Sequence, residues 1–545
     1  MDQKYFRNHA VYQIYPRSFC DGNGDGIGDI KGILSKLDYL KDLGVGIVWL
    51  SPVYKSPNAD YGYDVSDYED INPEFGTLAE MDLLIAEAKK REIRIVMDLV
   101  VNHTSDEHRW FLESQKPNSP FRDYYFWRIG KNNNTLPPNN WTSNFGGSAW
   151  TYVPASGAWY LHLFGVKQPD LNWRCPRVLE EVESILRFWL DRGIYGFRCD
   201  VINQIWKDSL EDGKKTLWVV GAEHYSMKEG NHQILRKLYE DVFSKYDCLT
   251  VGETYQVDFV NARRYEDKEL DMFFQFDTME CDQALLPIWR KKFPPKAFKK
   301  TIFDWQHEVD WNANYLENHD QRRSITRFGD SKKYWKESGK MLATMIFTLR
   351  GTPFVYEGQE IGMLDYPLFQ KEQYKDPVDH YIYAKVRKLH FTPKQALRMV
   401  QNANRDNART PMQWSDTLNA GFSSGKETWL PLNPSYPKIN VAAEEKDPDS
   451  ILAYYKKLFA YRKADPILSY GDFEPMRTKA SIMAYFRAYD GHMEFVLLNL
   501  TKKKVWLPRA IRQMKGQVIL SNYLGAGFTY KRYLRPYESL LVKIS

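Results

Sequence analysis

The chain has 545 residues, 43% of them apolar and 27% charged, with a net charge of +5 that is not gathered into one block. That balance suits a soluble globular enzyme larger than one small domain, and it argues against nucleic acid as a partner. No stretch approaches the roughly 20 consecutive apolar residues of a membrane span, so no membrane association is expected.

In chain order, the first strand-like run covers 11–16. It leads into Asp21-Gly22-Asn23-Gly24-Asp25-Gly26-Ile27-Gly28-Asp29, with oxygen-bearing side chains at every second position and glycines between. A tight loop of this kind suits Ca²⁺, a hard cation that takes 6–8 oxygens, with Mg²⁺ also open. Asp21, Asn23, Asp25, Ile27 and Asp29 are the candidate metal residues, in a structural role. A metal-free polar turn that caps the next helix is the alternative.

Further strand-like runs follow at 46–53, 94–102, 193–201, 248–255, 272–277, 314–320 and 351–357. Stretches with helical apolar spacing lie at 30–43, 77–91, 178–191, 233–245 and 333–349. Eight strand-like runs interleaved with these helical stretches predict an α/β fold, a closed (β/α)8 TIM barrel, because each parallel strand needs a crossover helix. An open doubly wound sheet fits less well, since no glycine-rich dinucleotide turn follows the first strand, and no organic cofactor is expected.

The predicted barrel occupies 1–103 and 173–470. Residues 104–172, rich in Asn, Pro, Trp and Tyr, read as a small domain inserted after strand 3, and 364–428 as a subdomain after strand 8. From 471 to 545 short alternating runs at 481–487, 494–499, 517–520 and 539–544 predict a C-terminal antiparallel β-sandwich domain. The five cysteines, at 20, 175, 199, 248 and 281, show no framework spacing and read as reduced thiols. With no apolar signal core near the first residues, a cytoplasmic location is expected.

Three runs end in a carboxylate: Gly196-Phe197-Arg198-Cys199-Asp200, Thr250-Val251-Gly252-Glu253 and Leu316-Glu317-Asn318-His319-Asp320. Acids at the ends of parallel barrel strands project into one shared site, and such a trio points to sugar-bond chemistry. Arg198, two residues before Asp200 on the same strand face, would hold Asp200 ionised. Glu253 has no neighbouring cation in sequence, so its pKa is free to rise as a proton donor requires. Taken singly, each acid reads more readily as a strand-end residue capping the next helix, and it is the trio that points to chemistry.

Several segments carry a family resemblance: Ala10-Val11-Tyr12-Gln13-Ile14-Tyr15-Pro16, Asp98-Leu99-Val100-Val101-Asn102-His103, Gln168-Pro169-Asp170-Leu171-Asn172, and Arg405-Asp406-Asn407-Ala408-Arg409-Thr410-Pro411-Met412-Gln413-Trp414. With the three acid runs, they resemble the α-amylase family of glycoside hydrolases, and within it the oligo-1,6-glucosidase and dextran glucosidase group, over nearly the whole chain. The resemblance implies Asp200 as nucleophile, Glu253 as acid/base and Asp320 as transition-state stabiliser, with His103 and His319 bonding the same glucose. It implies that Asp60 pairs with Arg405 to wall off that pocket, although spacing alone leaves Arg409 open as the partner. Tyr63 would stack on the sugar, with Phe145 and Phe164 nearby. It also implies a structural calcium or magnesium site in the 21–29 loop.

Val201, directly after Asp200, resembles the residue of α-1,6-specific members, where maltose-preferring relatives carry Ala or Thr. The implied activity is a retaining, exo-acting α-glucosidase that releases glucose from isomaltose, panose and dextran fragments, working as a monomer. Alternatives are a trehalose-6-phosphate hydrolase, to which Arg322 and Arg323 would lend a basic patch, and a maltose- or sucrose-type α-glucosidase with transglucosylation. A non-catalytic, transporter-associated homologue would lack the acids. Departures from the group are Cys199 in place of Met or Leu, Arg322 in place of Pro, and the segment 203–229.

Overall fold

The computed structural model describes residues 4–216, 219–284 and 288–544; residues 217 and 218, inside the divergent 203–229 segment, lie outside the described residues. Eight parallel strands form the centre: β1 (Val11–Ile14), β2 (Ile47–Leu50), β3 (Arg94–Leu99), β4 (Gly196–Cys199), β5 (Leu249–Glu253), β6 (Met272–Phe274), β7 (Asn312–Asn314) and β8 (Gly351–Tyr356). Their ladder order is β6-β5-β4-β3-β2-β1-β8-β7, and the end strands β6 and β7 touch one another, so the sheet curls into a barrel. Apart from partly buried Arg94, all residues of these strands are buried, as expected where helices cover a parallel sheet on its outer face.

The outer helices form where apolar residues recur on one face. Pro176–Asp191 opens with proline at its first turn and buries Val178, Val182, Ile185, Leu186 and Trp189 against the barrel. Leu78–Lys90 starts on a reciprocal capping box between Thr77 and Glu80. The stretch 30–43 is two helices, Ile30–Ser35 and Leu37–Leu43, parted at Lys36. Two crossover helices escaped the apolar spacing, Phe259–Tyr265 and Pro295–Glu308.

The seventh strand corrects the sequence reading. The ladder pairs Asn312–Asn314 with residues 351–353, and the run 315–320 is a loop beyond the strand end. Asparagines disguise the strand. Asn312 Nδ2 donates to Trp305 O at 3.3 Å and Asn314 Nδ2 to Arg350 O at 3.3 Å, so these amides are satisfied inside the barrel wall.

Inserted after β3, three antiparallel strands (Trp127–Arg128, Trp150–Val153, Ala158–Leu161) enclose a cluster of Phe126, Trp141, Trp150, Leu161 and Leu163. After β8, helices Pro377–Lys388 and Pro393–Gln401 pack around Phe369, Tyr374, Ile382 and Val400. The C-terminal part is a five-stranded antiparallel sheet with Phe495, Leu497 and Leu540 facing Leu507, Phe528 and Leu534. Its second layer is small, a two-stranded pair of Val505–Trp506 and Tyr533–Leu534. Among the described residues no helix is long and apolar enough to cross a membrane.

Candidate active site

The C-terminal ends of the barrel strands deliver the three carboxylates. Asp200 follows β4 directly, its N–H donating to Leu99 O of β3 at 2.9 Å; Glu253 is the last residue of β5; Asp320 sits in the loop after β7. All three line one cavity of about 270 Å³, together with Asp60, Tyr63, His103, Phe145, Phe164, Val201 and Arg405. Asn144, Gln168, Gln204, Tyr255 and Phe276 complete its lining. Arg198 and His319 stand behind it, 1% and 0% exposed.

Arg198 organises the floor. Its Nη1 donates to Asp98 Oδ1 at 2.8 Å and to Asp200 Oδ1 at 2.6 Å, and its Nη2 lies 2.8 Å from Glu253 Oε2. The sequence reading gave Glu253 no cation; in space it shares the cation of Asp200. Its pKa still rises, to about 8, because burial outweighs Arg198, and the charges of Asp200 and Asp320 add to the rise. Burial also lifts Asp200, but only to about 6, since Arg198 opposes it through both charge and hydrogen bond. Of the two acids, Glu253 is thus the one more strongly held in its protonated form, and Asp200 the one more readily ionised.

Asp320 is held well below the usual carboxylate range. Burial works against its ionisation, and His319, Arg405 and Arg409 outweigh it. Burial keeps His319 neutral, with a pKa near 3, so at neutral pH the charges that act on Asp320 are the arginines. A hydrogen-bond chain fixes the imidazole: Gln13 Nε2 donates to His319 Nδ1 at 2.8 Å, His319 Nε2 donates to Tyr63 Oη at 2.6 Å, and Tyr63 Oη donates to Asp98 Oδ2 at 3.1 Å. The Tyr63 and His319 rings stack 5° from parallel.

The structure separates the two candidate arginines. Arg405 Nη2 donates to Asp60 Oδ1 at 3.1 Å, while Arg409 Nη2 donates to Asp320 Oδ1 at 2.7 Å. Asp60 also accepts from Gln168 Nε2 at 3.1 Å, which gives the 168–172 motif a place at the pocket wall. The Phe145 ring lies 5.5 Å from the Arg405 guanidinium, and Phe164 lies 5.7 Å from Phe145 and 5.3 Å from His103. Val201 stands in the left-handed region (φ 35°, ψ 38°), with its N–H donating to Glu253 Oε2 at 3.1 Å. A β-branched residue there costs on the order of 1–3 kcal/mol, a strain that clusters at functional sites.

The departures take ordinary places. Cys199 is buried, and burial pushes its thiol pKa up, so it is inert. Arg322 Nε donates to Asp365 Oδ2 at 2.7 Å, and fully buried Arg323 donates to Glu357 O at 2.6 Å and Ala408 O at 2.9 Å. The divergent 203–229 segment is anchored by buried Lys207, whose Nζ lies 2.6 Å from Asp170 Oδ2 and donates to Asn102 Oδ1 at 2.8 Å.

Two acids at the site carried no role in the sequence reading. Asp98 is visible in the 98–103 motif, and its partners are Arg198, Tyr63 and Trp49. Asp376 pairs with Arg405; its only sequence signal is the helix start implied by the Pro377 that follows.

The 21–29 loop lies away from the acids, against 422–429. Asp21 accepts from the N–H groups of Asn23, Gly24 and Gly26, Asn23 Oδ1 from Asp25 N, and Asp25 Oδ1 from Ile27 N. Asp29 Oδ1 caps the next helix through Gly32 N at 2.6 Å, whereas Asp29 Oδ2 is buried without a hydrogen-bond partner. Among the described residues no group of three or more His, Cys, Asp and Glu is gathered to hold a metal.

Residues 13–471 match the family description "Alpha amylase, catalytic domain". The chain belongs to the α-amylase family. Among curated members it is 46% identical over 562 residues to an oligo-1,6-glucosidase of Parageobacillus thermoglucosidasius, and 41% identical over 557 residues to a glucan 1,6-alpha-glucosidase of Streptococcus pneumoniae, with 100% of each chain covered in both cases. Among solved family structures, trehalose-6-phosphate hydrolase of Bacillus licheniformis matches with TM-score 0.94 at 39% identity, covering 99% of this chain and 100% of that one. Isomaltulose synthase from Klebsiella matches with TM-score 0.94 at 38% identity, with 100% of both chains covered.

Proposed function

We propose that the protein is a retaining, exo-acting α-glucosidase that releases glucose from the non-reducing end of α-1,6-linked isomalto-oligosaccharides such as isomaltose, panose and dextran fragments. The observation that carries this reading is the pair of buried acids lining one cavity, Asp200 and Glu253, with the Arg198 guanidinium 2.6 Å from one and 2.8 Å from the other. Two carboxyl groups in opposite protonation states at neutral pH are what double displacement requires.

In this reading Glu253 donates its proton to the glycosidic oxygen while Asp200 attacks the anomeric carbon. The bond to the leaving sugar breaks and a glucosyl ester forms on Asp200. Water then gives a proton to the Glu253 carboxylate and its oxygen to the anomeric carbon, releasing α-glucose and restoring both acids. Asp320, kept ionised by Arg405 and Arg409, grips sugar hydroxyls and favours the positive charge that develops on the ring. Asp60 and Arg405 form the wall behind the terminal glucose, which favours exo cleavage.

Val201 supports the α-1,6 preference, because its branched side chain borders the cavity next to Asp200 and narrows the room for an α-1,4-linked second sugar. The names of the oligo-1,6-glucosidase and glucan 1,6-alpha-glucosidase relatives point the same way. A phosphorylated disaccharide is disfavoured. Arg323 is spent on Glu317 and buried carbonyls and Arg322 on Asp365, and among the described residues that line the cavity the cation is Arg405, which faces three acids.

The loop 21–29 is proposed to hold Ca²⁺, with Mg²⁺ as the other candidate, through Asp21, Asn23, Asp25, Ile27 and Asp29. All-oxygen donors suit a hard cation, and Asp29 Oδ2 is a buried acceptor in need of a partner. When bound, the ion would neutralise the loop and tie it to the barrel. Five free cysteines, three of them buried, support a reducing compartment, and we propose a cytoplasmic monomer.

Initial rates of glucose release from isomaltose, maltose and trehalose 6-phosphate, measured side by side, test the reading. It predicts a strong preference for isomaltose. A preference for maltose would discard the role given to Val201, and a preference for the phosphosugar would overturn the substrate class.

A further inference from the structure

The helix Pro377–Lys388, in the excursion after β8, begins on an aspartate that does two jobs. Asp376 Oδ1 accepts from Val378 N at 2.9 Å and so caps the helix. The same carboxylate meets Arg405 edge-on, Nη2 donating to Oδ1 at 3.0 Å and Nε to Oδ2, and Arg409 Nη1 lies 3.8 Å from Oδ2. Asp376 is 0% exposed and does not line the sugar cavity, whereas Arg405, Asp60 and Asp320 do.

Two parallel N–H bonds fix the plane of a guanidinium. With Nε and Nη2 engaged by Asp376, the Arg405 edge that faces the pocket presents Nη2 to Asp60 at 3.1 Å and Nη1 to Asp320 at 3.4 Å. Asp376 also supplies the third negative charge against two arginines, beside Asp60 and Asp320. The helix braces a second part of the wall. A methyl group added at Gly146 would meet the Tyr381 ring at 2.1 Å, so the loop that presents Phe145 to the cavity rests on this helix.

We infer that Asp376 is a positioning residue for the glucose pocket, orienting Arg405 towards Asp60 and Asp320 from behind the wall. The inference rests on the α-glucosidase reading above for its kinetic readout. It also makes the excursion after β8 part of the pocket, since the start of its first helix sets the geometry of the binding arginine.

Asp376→Asn separates the two jobs, because asparagine caps a helix about as well as aspartate but brings no charge to the arginines. Wild type, Asp376→Asn, Arg405→Lys and the double variant are compared for KM and kcat on isomaltose and for glucose binding by calorimetry. Asp376→Asn is expected to keep its melting temperature within a few degrees while KM and the glucose Kd rise about tenfold or more. Because Asp376 acts through Arg405, adding Asp376→Asn to Arg405→Lys should change KM less than about twofold further. Wild-type KM and Kd in Asp376→Asn, or fully additive effects in the double variant, would overturn the inference. If wild type does not cleave isomaltose, the functional reading fails, and the glucose Kd values alone decide on Asp376. Should Asp376→Asn not fold, Asp376→Glu takes its place. Its carboxylate is displaced by one methylene and cannot keep both arginine contacts, so KM should rise at least about threefold; an unchanged KM would contradict the inference.

Discussion

Arg198 Nη2 lies 2.8 Å from Glu253 Oε2, so the cation that the sequence assigns to Asp200 alone serves both acids. A cation shared in this way would hold two isolated carboxyls equally ionised. The difference between them comes from what else each meets. Asp200 takes the shorter contact, 2.6 Å to Nη1, whereas Glu253 is raised by burial and by the charges of Asp200 and Asp320.

The pH profile follows with a definite sign. Asp200 must be ionised to act, so activity is lost as pH falls through about 6; Glu253 must be protonated, so activity is lost as pH rises through about 8. The rate constant kcat/KM on isomaltose should trace a bell with limbs near those values, which belong to the coupled site rather than to one residue each. A profile flat from about pH 5 to 9 would contradict the division of roles.

Val201→Ala removes the branched side chain beside the nucleophile. The ratio of kcat/KM for isomaltose over maltose should fall by about tenfold or more, within the ~1–3 kcal/mol that one pocket residue usually commands. A ratio unchanged within about twofold would place the linkage preference elsewhere, with the 203–229 segment the next place to look.

Metal removal tests the 21–29 loop. Dialysis against a chelator should lower Tm by a few degrees, Ca²⁺ should restore it, and Asp29→Ala should abolish the difference, because an ion that binds only the folded state stabilises it by mass action. Activity at low temperature should be little affected, since the loop lies away from the acids. Identical Tm with and without chelator would support the metal-free turn.

What the sequence could show was set by how local the signal is. Barrel strands read as apolar runs because parallel strands are covered on both faces, and the acids stood out because each ends such a run or the loop beyond it. The seventh strand was hidden by Asn312 and Asn314, whose side-chain N–H groups donate to carbonyls brought in from other elements. The choice between Arg405 and Arg409 was equally illegible. Four residues apart, they share Asp320 and Asp376 in the fold, and the contact that tells them apart is Asp60, which meets Arg405. The Asp376 contact joins a helix start to an arginine 29 positions further on, and nothing in the local pattern marks that pairing.

The central claim is that Asp200 forms a covalent bond with glucose, and trapping that bond tests it most directly. Incubation with a fluorinated α-glucosyl fluoride, which slows breakdown of the ester more than its formation, followed by proteolysis and mass spectrometry, should place one sugar on the peptide that contains Asp200. Asp200→Asn should take up no label. A label on another residue, or turnover with no trapped species and β-glucose as the first-formed product, would contradict the account.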